Sequence, residues 1–277
     1  MAAGLLITFR EGLEAFLVVG IILTYLGRCN QKQYNKWVYM GVFLGLLSAF
    51  ALGFLFQIYY NGFESKLGEL YLKVGIMGFA VVVLTYMVIW MSKNGRNIKG
   101  DVEKNLEHVI STGSVFALVF MSFLAILREG FETVLFLGAL FGNEMNAPVF
   151  YGGALGLVIA LVLTIAIFKG MRNIPIKTFF NITGGLVTII AAGLLVNMIG
   201  ILQDLNLLPV LKPAIFDLSW FMLDSSEVGI FFKALFGYTH APSLIQVISY
   251  LSYFAVITMF FSFWDKLLLR KREVVRA

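Results

Sequence analysis

Residues 2–26 read AAGLLITFREGLEAFLVVGIILTYL, an apolar run of 25 residues interrupted only by Arg10, Glu11 and Glu14. A bilayer core of about 30 Å is crossed by ~20 residues of α-helix, so this run is long enough to span it. A secretory signal peptide carries its basic residues ahead of an uncharged apolar stretch. Here the first basic residue, Arg10, already lies inside the run, with two glutamates just after it. The segment therefore reads as a retained helix with three charges in its middle.

The rest of the chain repeats that character. Hydrophobic residues make up 60% of the 277 and charged residues only 13%, about half of what a soluble domain carries. Further apolar runs cover 37–60, 71–92, 113–142, 149–170, 183–203 and 244–265, giving seven predicted spans. No linker or soluble insertion interrupts the series, so one all-α polytopic membrane domain is expected over 1–277. Within it, 204–243 is an outer loop and 244–265 the seventh helix. The charged stretch 93–108 reads as a solvated connection, and Gly229–Phe236 as a short interfacial helix.

Lysine and arginine set the orientation, because they accumulate on the cytoplasmic side. Fifteen of the 21 follow the first, third, fifth and seventh spans, and four lie on the opposite side. The bias predicts a multi-pass protein of the cell membrane with its N-terminus outside and its C-terminus cytoplasmic. Net charge +5 is thus a topology signal, and nucleic acid is not an expected partner. The remaining two cations, Arg10 and Arg128, fall within spans.

Aligning those two arginines exposes a repeat. Residues 10–14 are Arg-Glu-Gly-Leu-Glu and residues 128–132 are Arg-Glu-Gly-Phe-Glu, 118 positions apart. Each motif sits in the first helix of a three-helix set, repeat A over 1–92 and repeat B over 113–203. An odd number of spans per set makes the two run in opposite directions, an inverted repeat whose substrate sites tend to lie at the midplane. At 1.5 Å per residue, both motifs come to about 15 Å from the outer end of their helices.

The motif chemistry points to a cation. Glu11 and Glu14, like Glu129 and Glu132, are spaced i, i+3 and so share one helical face. Two such helices side by side offer four carboxylates, a ligand set that suits hard cations. Arg10 and Arg128 can each pair with the glutamate four residues on, orienting it and offsetting its charge. Gly12 and Gly130 allow close helix approach. A purely structural role is expensive, since each charge at the bilayer centre costs roughly 2.5–3.5 kcal/mol on insertion scales. Cys29 is the sole cysteine, and His108 and His240 fall in connections, so a thiolate or histidine site within the spans is excluded.

Carried by Arg10–Glu14, its copy at 128–132, seven spans and an outside N-terminus, the chain resembles the oxidase-dependent iron permeases of fungi and bacteria over essentially its whole length. Segment 229–253, with Gly237, Tyr238, Pro242, Ser243, Gln246 and Tyr250, is similar to the last loop and helix of the bacterial members. The resemblance implies that Glu11, Glu14, Glu129 and Glu132 are required for iron transport. It further implies that Fe(III), made by an external oxidase or brought by a periplasmic delivery protein, is passed inward. Asp224-Ser225-Ser226-Glu227 is similar to an Asp-Ala-Ser-Glu element of the fungal members, which makes Asp224 and Glu227 candidates for metal entry; the plainer reading is a solvated acidic loop. Iron is cargo on this reading, no permanently bound cofactor is expected, and lipid surrounds the spans. Two other classes stay open from the residues alone. A proton-coupled transporter of manganese or lead would use the same carboxylates. A membrane-embedded di-iron oxidase would need Glu-x-x-His ligands, which these spans lack. The chain is therefore read as a non-enzyme.

Overall fold

A computed structural model describes residues 2–62, 66–94, 98–111, 114–141, 147–169, 176–211, 213–220, 222 and 226–276. These residues form α1 (Ala2–Arg28), a 3₁₀ turn (Lys32–Tyr34), α2 (Asn35–Asn61), α3 (Lys66–Asn94) and α4 (Ile98–Ser111). They continue as α5 (Val115–Phe141), α6 (Ala147–Lys169), α7 (Ile176–Asp204), α8 (Glu227–Phe236) and α9 (Leu244–Arg276). Backbone groups have no water to bond inside a bilayer, so helices that satisfy them internally are the expected solution. Among the described residues, five helices are long and apolar enough to cross a membrane: α2, α3, α6, α7 and α9. The other two long helices, α1 and α5, have 27 residues each. Every 18-residue stretch of either includes at least three charged residues. It is the duplicated motif that sets these two helices apart from ordinary spans.

The chain divides into two compact units, residues 1–186 and 187–277. In the first, α1 packs along α6, α2 packs along α5, and α1, α3 and α4 make further contacts with α5 or α1. Small residues allow the close pairs, which in lipid are held by packing rather than by a hydrophobic drive. A Cβ on Gly12 would meet Leu157 and Ala160 of α6, and one on Gly130 would meet Ala49 of α2. Gly156 of α6 lies against Leu5 and Thr8, and Gly45 of α2 against Phe123 and Ile126. The buried Thr8 hydroxyl lies 2.8 Å from both its own-turn acceptor Gly4 O and Gly153 O across the helix pair. The outward side of α2 is apolar: Phe43, Phe50 and Phe54 are 64%, 71% and 69% exposed. A soluble surface rarely presents so continuous an apolar face.

The stretch expected to be a solvated connection is largely helical, as α4. Val102, Leu106, Val109 and Ile110 follow helical spacing, and Leu106 is fully buried with Ile22, Leu26 and Val38. Arg28 reaches Glu103 at 3.8 Å on the exposed side of this packing.

In the second unit, the short helix expected over 229–236 is α8. Ser226 caps it, accepting from Gly229 N at 2.9 Å. Gly237 ends it in the left-handed conformation, φ 67°, where a Cβ would also strike the backbone of Gly193. Gln203, Ser243 and Gln246 form a polar link between α7 and the start of α9. Ser243 Oγ donates to Gln203 Oε1 at 2.8 Å, and Gln246 Nε2 donates to Val196 O at 3.3 Å.

Candidate functional site

Helical spacing places Glu11 and Glu14 on one face of α1 while Gly12, between them, meets α6. The same offset on α5 presents Glu129 and Glu132 together and turns Gly130 to α2. With α1 against α5, the two carboxylate faces meet inside the first unit. All four glutamates are buried, with exposures of 1%, 7%, 8% and 6% in chain order. One carboxylate oxygen from each of Glu11, Glu14 and Glu129 can lie within 4.8 Å of the others, close enough to share a cation. Glu132 is buried beside them and paired with Arg128.

Both arginines fulfil the expected pairing. Arg10 Nη2 lies 2.9 Å from Glu14 Oε1, and Arg10 Nη1 donates to Glu11 Oε1. Arg128 Nε donates to Glu132 Oε1 at 3.1 Å and stands 3.6 Å from Glu129 Oε1. Even so, Glu11 Oε2, Glu129 Oε2 and Glu132 Oε2 are buried without a hydrogen-bond partner among the described residues. A buried acceptor left unsatisfied costs about 1–3 kcal/mol, and more if charged. Three such oxygens in one place are a ligand set waiting for protons or a cation. If all four carboxylates are ionised, two guanidiniums leave two negative charges unmatched, the charge a divalent ion supplies.

A third helix, which sequence reasoning left without a role, completes the surroundings. Met87 and Met91 of α3 place their sulfurs 3.1 and 3.6 Å from Arg10 Nη2. Trp90, between them, stacks under the Arg128 guanidinium, 5.1 Å from ring centroid to Cζ. The i, i+3, i+4 spacing was visible in the sequence, but methionine and tryptophan in an apolar span do not differ from packing or lipid-facing residues. Asp224 lies outside the described residues, and Glu227 is the first residue of α8. The loop residues singled out by resemblance, Gly237, Ser243 and Gln246, make the backbone and side-chain contacts of the second unit.

A family model described as the iron permease FTR1 family matches residues 1–272. The chain is similar to a protein named ferrous iron permease EfeU from Yersinia pestis, at 34% identity over 250 residues, covering 90% of this chain and 88% of that one. Proteins of the same name from Escherichia coli O6:K15:H31 and Shigella sonnei are 34% identical over 244 residues, covering 87% of this chain and 88% of theirs. No solved structure matches the chain.

Proposed function

We propose that this chain, which belongs to the iron permease FTR1 family, imports iron across the cytoplasmic membrane through the carboxylates of Glu11, Glu14, Glu129 and Glu132. Iron transport by a multi-pass membrane protein follows from the family and from its apolar helices. The observation that carries the site is the group of buried glutamate oxygens without partners, drawn from both copies of one motif. Oxygen-only ligands suit a hard or borderline cation, and the permease relatives favour transport over catalysis.

Seven spans in an inverted 3+3 repeat with one added helix account for the packing. Adding 118 to α1 positions gives their α5 counterparts, and adding 111 to α2 positions gives those of α6. Under these offsets Gly12–Ala160 corresponds to Gly130–Ala49, and Leu5, Thr8 and Gly156 to Phe123, Ile126 and Gly45. With the N-terminus outside, both motifs come to the midplane, where membrane potential draws a cation inward by about 2.3 kcal/mol per charge per 100 mV. Asp224 and Glu227 are entry residues on this reading, and an oxidase or periplasmic delivery protein hands over the metal.

The oxidation state separates two readings. Delivery by an oxidase makes Fe(III) the imported species and suits four hard carboxylates. The relatives' printed name, ferrous iron permease, favours Fe(II). Uptake of labelled iron by purified protein in vesicles, with oxidant or reductant fixed, distinguishes them. In the same assay, well-expressed Glu→Gln variants at the four positions are expected to lose import. Normal import by all four removes the carboxylate site.

A further inference from the structure

We infer that one face of α3, formed by Met87, Trp90 and Met91, is the cradle that holds both motif arginines and receives them when iron takes their carboxylates. The inference rests on the four-carboxylate transport site proposed above. Arg10 Nη2 is shared: it lies 2.9 Å from Glu14 Oε1 and within 3.1 and 3.6 Å of the two sulfurs. A thioether is a weak acceptor that cannot compete with a carboxylate for a guanidinium, but it can keep one oriented after the carboxylate is taken. Arg128 is placed in a matching way, with Nε toward Glu132 and its cationic centre over the Trp90 ring. A cation over an indole face is attracted to the ring, more strongly when desolvated.

The competition explains why such partners are useful. A cation entering the cluster needs the oxygens that the guanidiniums now hold, and a guanidinium displaced into hydrocarbon with no partner would oppose binding. Sulfur and indole next to each arginine lower that opposition without offering a second carboxylate that would itself capture iron. All three side chains come from little more than one turn of a single helix, so α3 serves both copies of the motif. Met87 and Met91 are buried against Leu13 and Leu17 of α1, and Trp90 packs on the same cluster. These are positioning residues: they act on iron through Arg10 and Arg128.

The test is a pair of double-mutant cycles read by equilibrium iron binding to the full-length protein in nanodiscs, with iron supplied both as Fe(II) with ascorbate and as Fe(III) citrate. Met87→Leu/Met91→Leu keeps volume nearly constant and removes both sulfurs. It is expected to weaken binding about 3- to 10-fold when Arg10 is present and to have no further effect in an Arg10→Gln background. Trp90→Leu should weaken binding more than Trp90→Phe, which keeps a lesser aromatic face, and both effects should vanish in Arg128→Gln. If the methionine double variant does not fold, Met87→Leu alone and the Trp90 cycle carry the same comparison. Equal losses with and without the arginines mean that α3 acts by packing alone, which overturns the inference and leaves the carboxylate site standing. Wild-type protein that binds neither form of iron, or binds it unchanged after the glutamates become glutamine, overturns both.

Discussion

Arg10 and Arg128 open the same five-residue motif, yet their surroundings differ. The Arg10 side chain is 6% exposed and uses two separate nitrogens, Nη1 toward Glu11 and Nη2 toward Glu14. The Arg128 side chain is 46% exposed and reaches Glu129 and Glu132 through Nε alone. Duplication has thus supplied two carboxylate pairs but not two equivalent sites. The α1 copy is sealed, and two of the three carboxylates whose oxygens can share a cation are its own, Glu11 and Glu14. The α5 copy contributes Glu129 to that group and keeps Glu132 with the more accessible arginine.

The largest effects should fall on the shared oxygens. Glu11→Gln, Glu14→Gln and Glu129→Gln each remove a charged ligand while keeping its shape. Losing one partner of a buried charged contact costs about 2–5 kcal/mol, so iron affinity should fall on the order of 30-fold or more. Glu132→Gln should also impair import, with a smaller loss of affinity, because its removal leaves the three-oxygen group intact. Iron binding to the four variants in nanodiscs checks the order. Should Glu132→Gln prove the most damaging, the division between a sealed and an accessible copy is wrong.

The arginines sharpen the same comparison at a lower level. Lysine keeps the charge but offers one ammonium in place of a planar fork. Arg10 bridges two carboxylates through different nitrogens, a geometry one ammonium reproduces poorly. Arg128 serves both of its glutamates from one nitrogen, which a point charge imitates better. Arg10→Lys is therefore expected to slow uptake about tenfold and Arg128→Lys only a fewfold, a difference of roughly 1 kcal/mol between the two sites. Equal effects in vesicle uptake would mean that charge alone matters in both.

Much of this arrangement was legible in the sequence because bilayer physics leaves few choices. The seven apolar runs coincide with the seven helices longer than 20 residues among the described residues, and the paired i, i+4 spacing of Arg10–Glu14 and Arg128–Glu132 became ion pairs. Gly41 and Gly45 approach α5 closely, as small residues within a span favour. Two features were hidden. In α4, Asp101, Glu103, Lys104 and Glu107 masked an apolar stripe that only a helical projection reveals. The part played by Met87, Trp90 and Met91 could not be read because apolar side chains in a span are ambiguous until their neighbours are known. A charged residue in a membrane announces a site; the apolar residue that holds it does not.

The smallest expected effects concern the glycines inside the two motifs, where the two copies differ again. A Cβ at Gly12 would stand 2.8 Å from Leu157 Cδ2, the end of a flexible side chain, and 3.4 Å from Ala160 Cβ. Leu157 is 43% exposed, so it has room to turn aside. At Gly130 the obstacle is Ala49 Cβ, which cannot rotate away, so the α2 and α5 backbones would have to separate. Overpacking that moves backbone costs typically 1–3 kcal/mol. Against this, replacing a helical glycine by alanine gains roughly 0.5–1 kcal/mol of backbone preference. Gly130→Ala should therefore be destabilising by about 1–2 kcal/mol and shift the carboxylates of α5 away from those of α1. Gly12→Ala should come out near neutral, since the two terms are of similar size there. Thermal unfolding in detergent together with iron binding measures both. If Gly12→Ala were the more damaging variant, the tight interface would lie between α1 and α6, and Leu157 would be a fixed wall of the site's supporting layer.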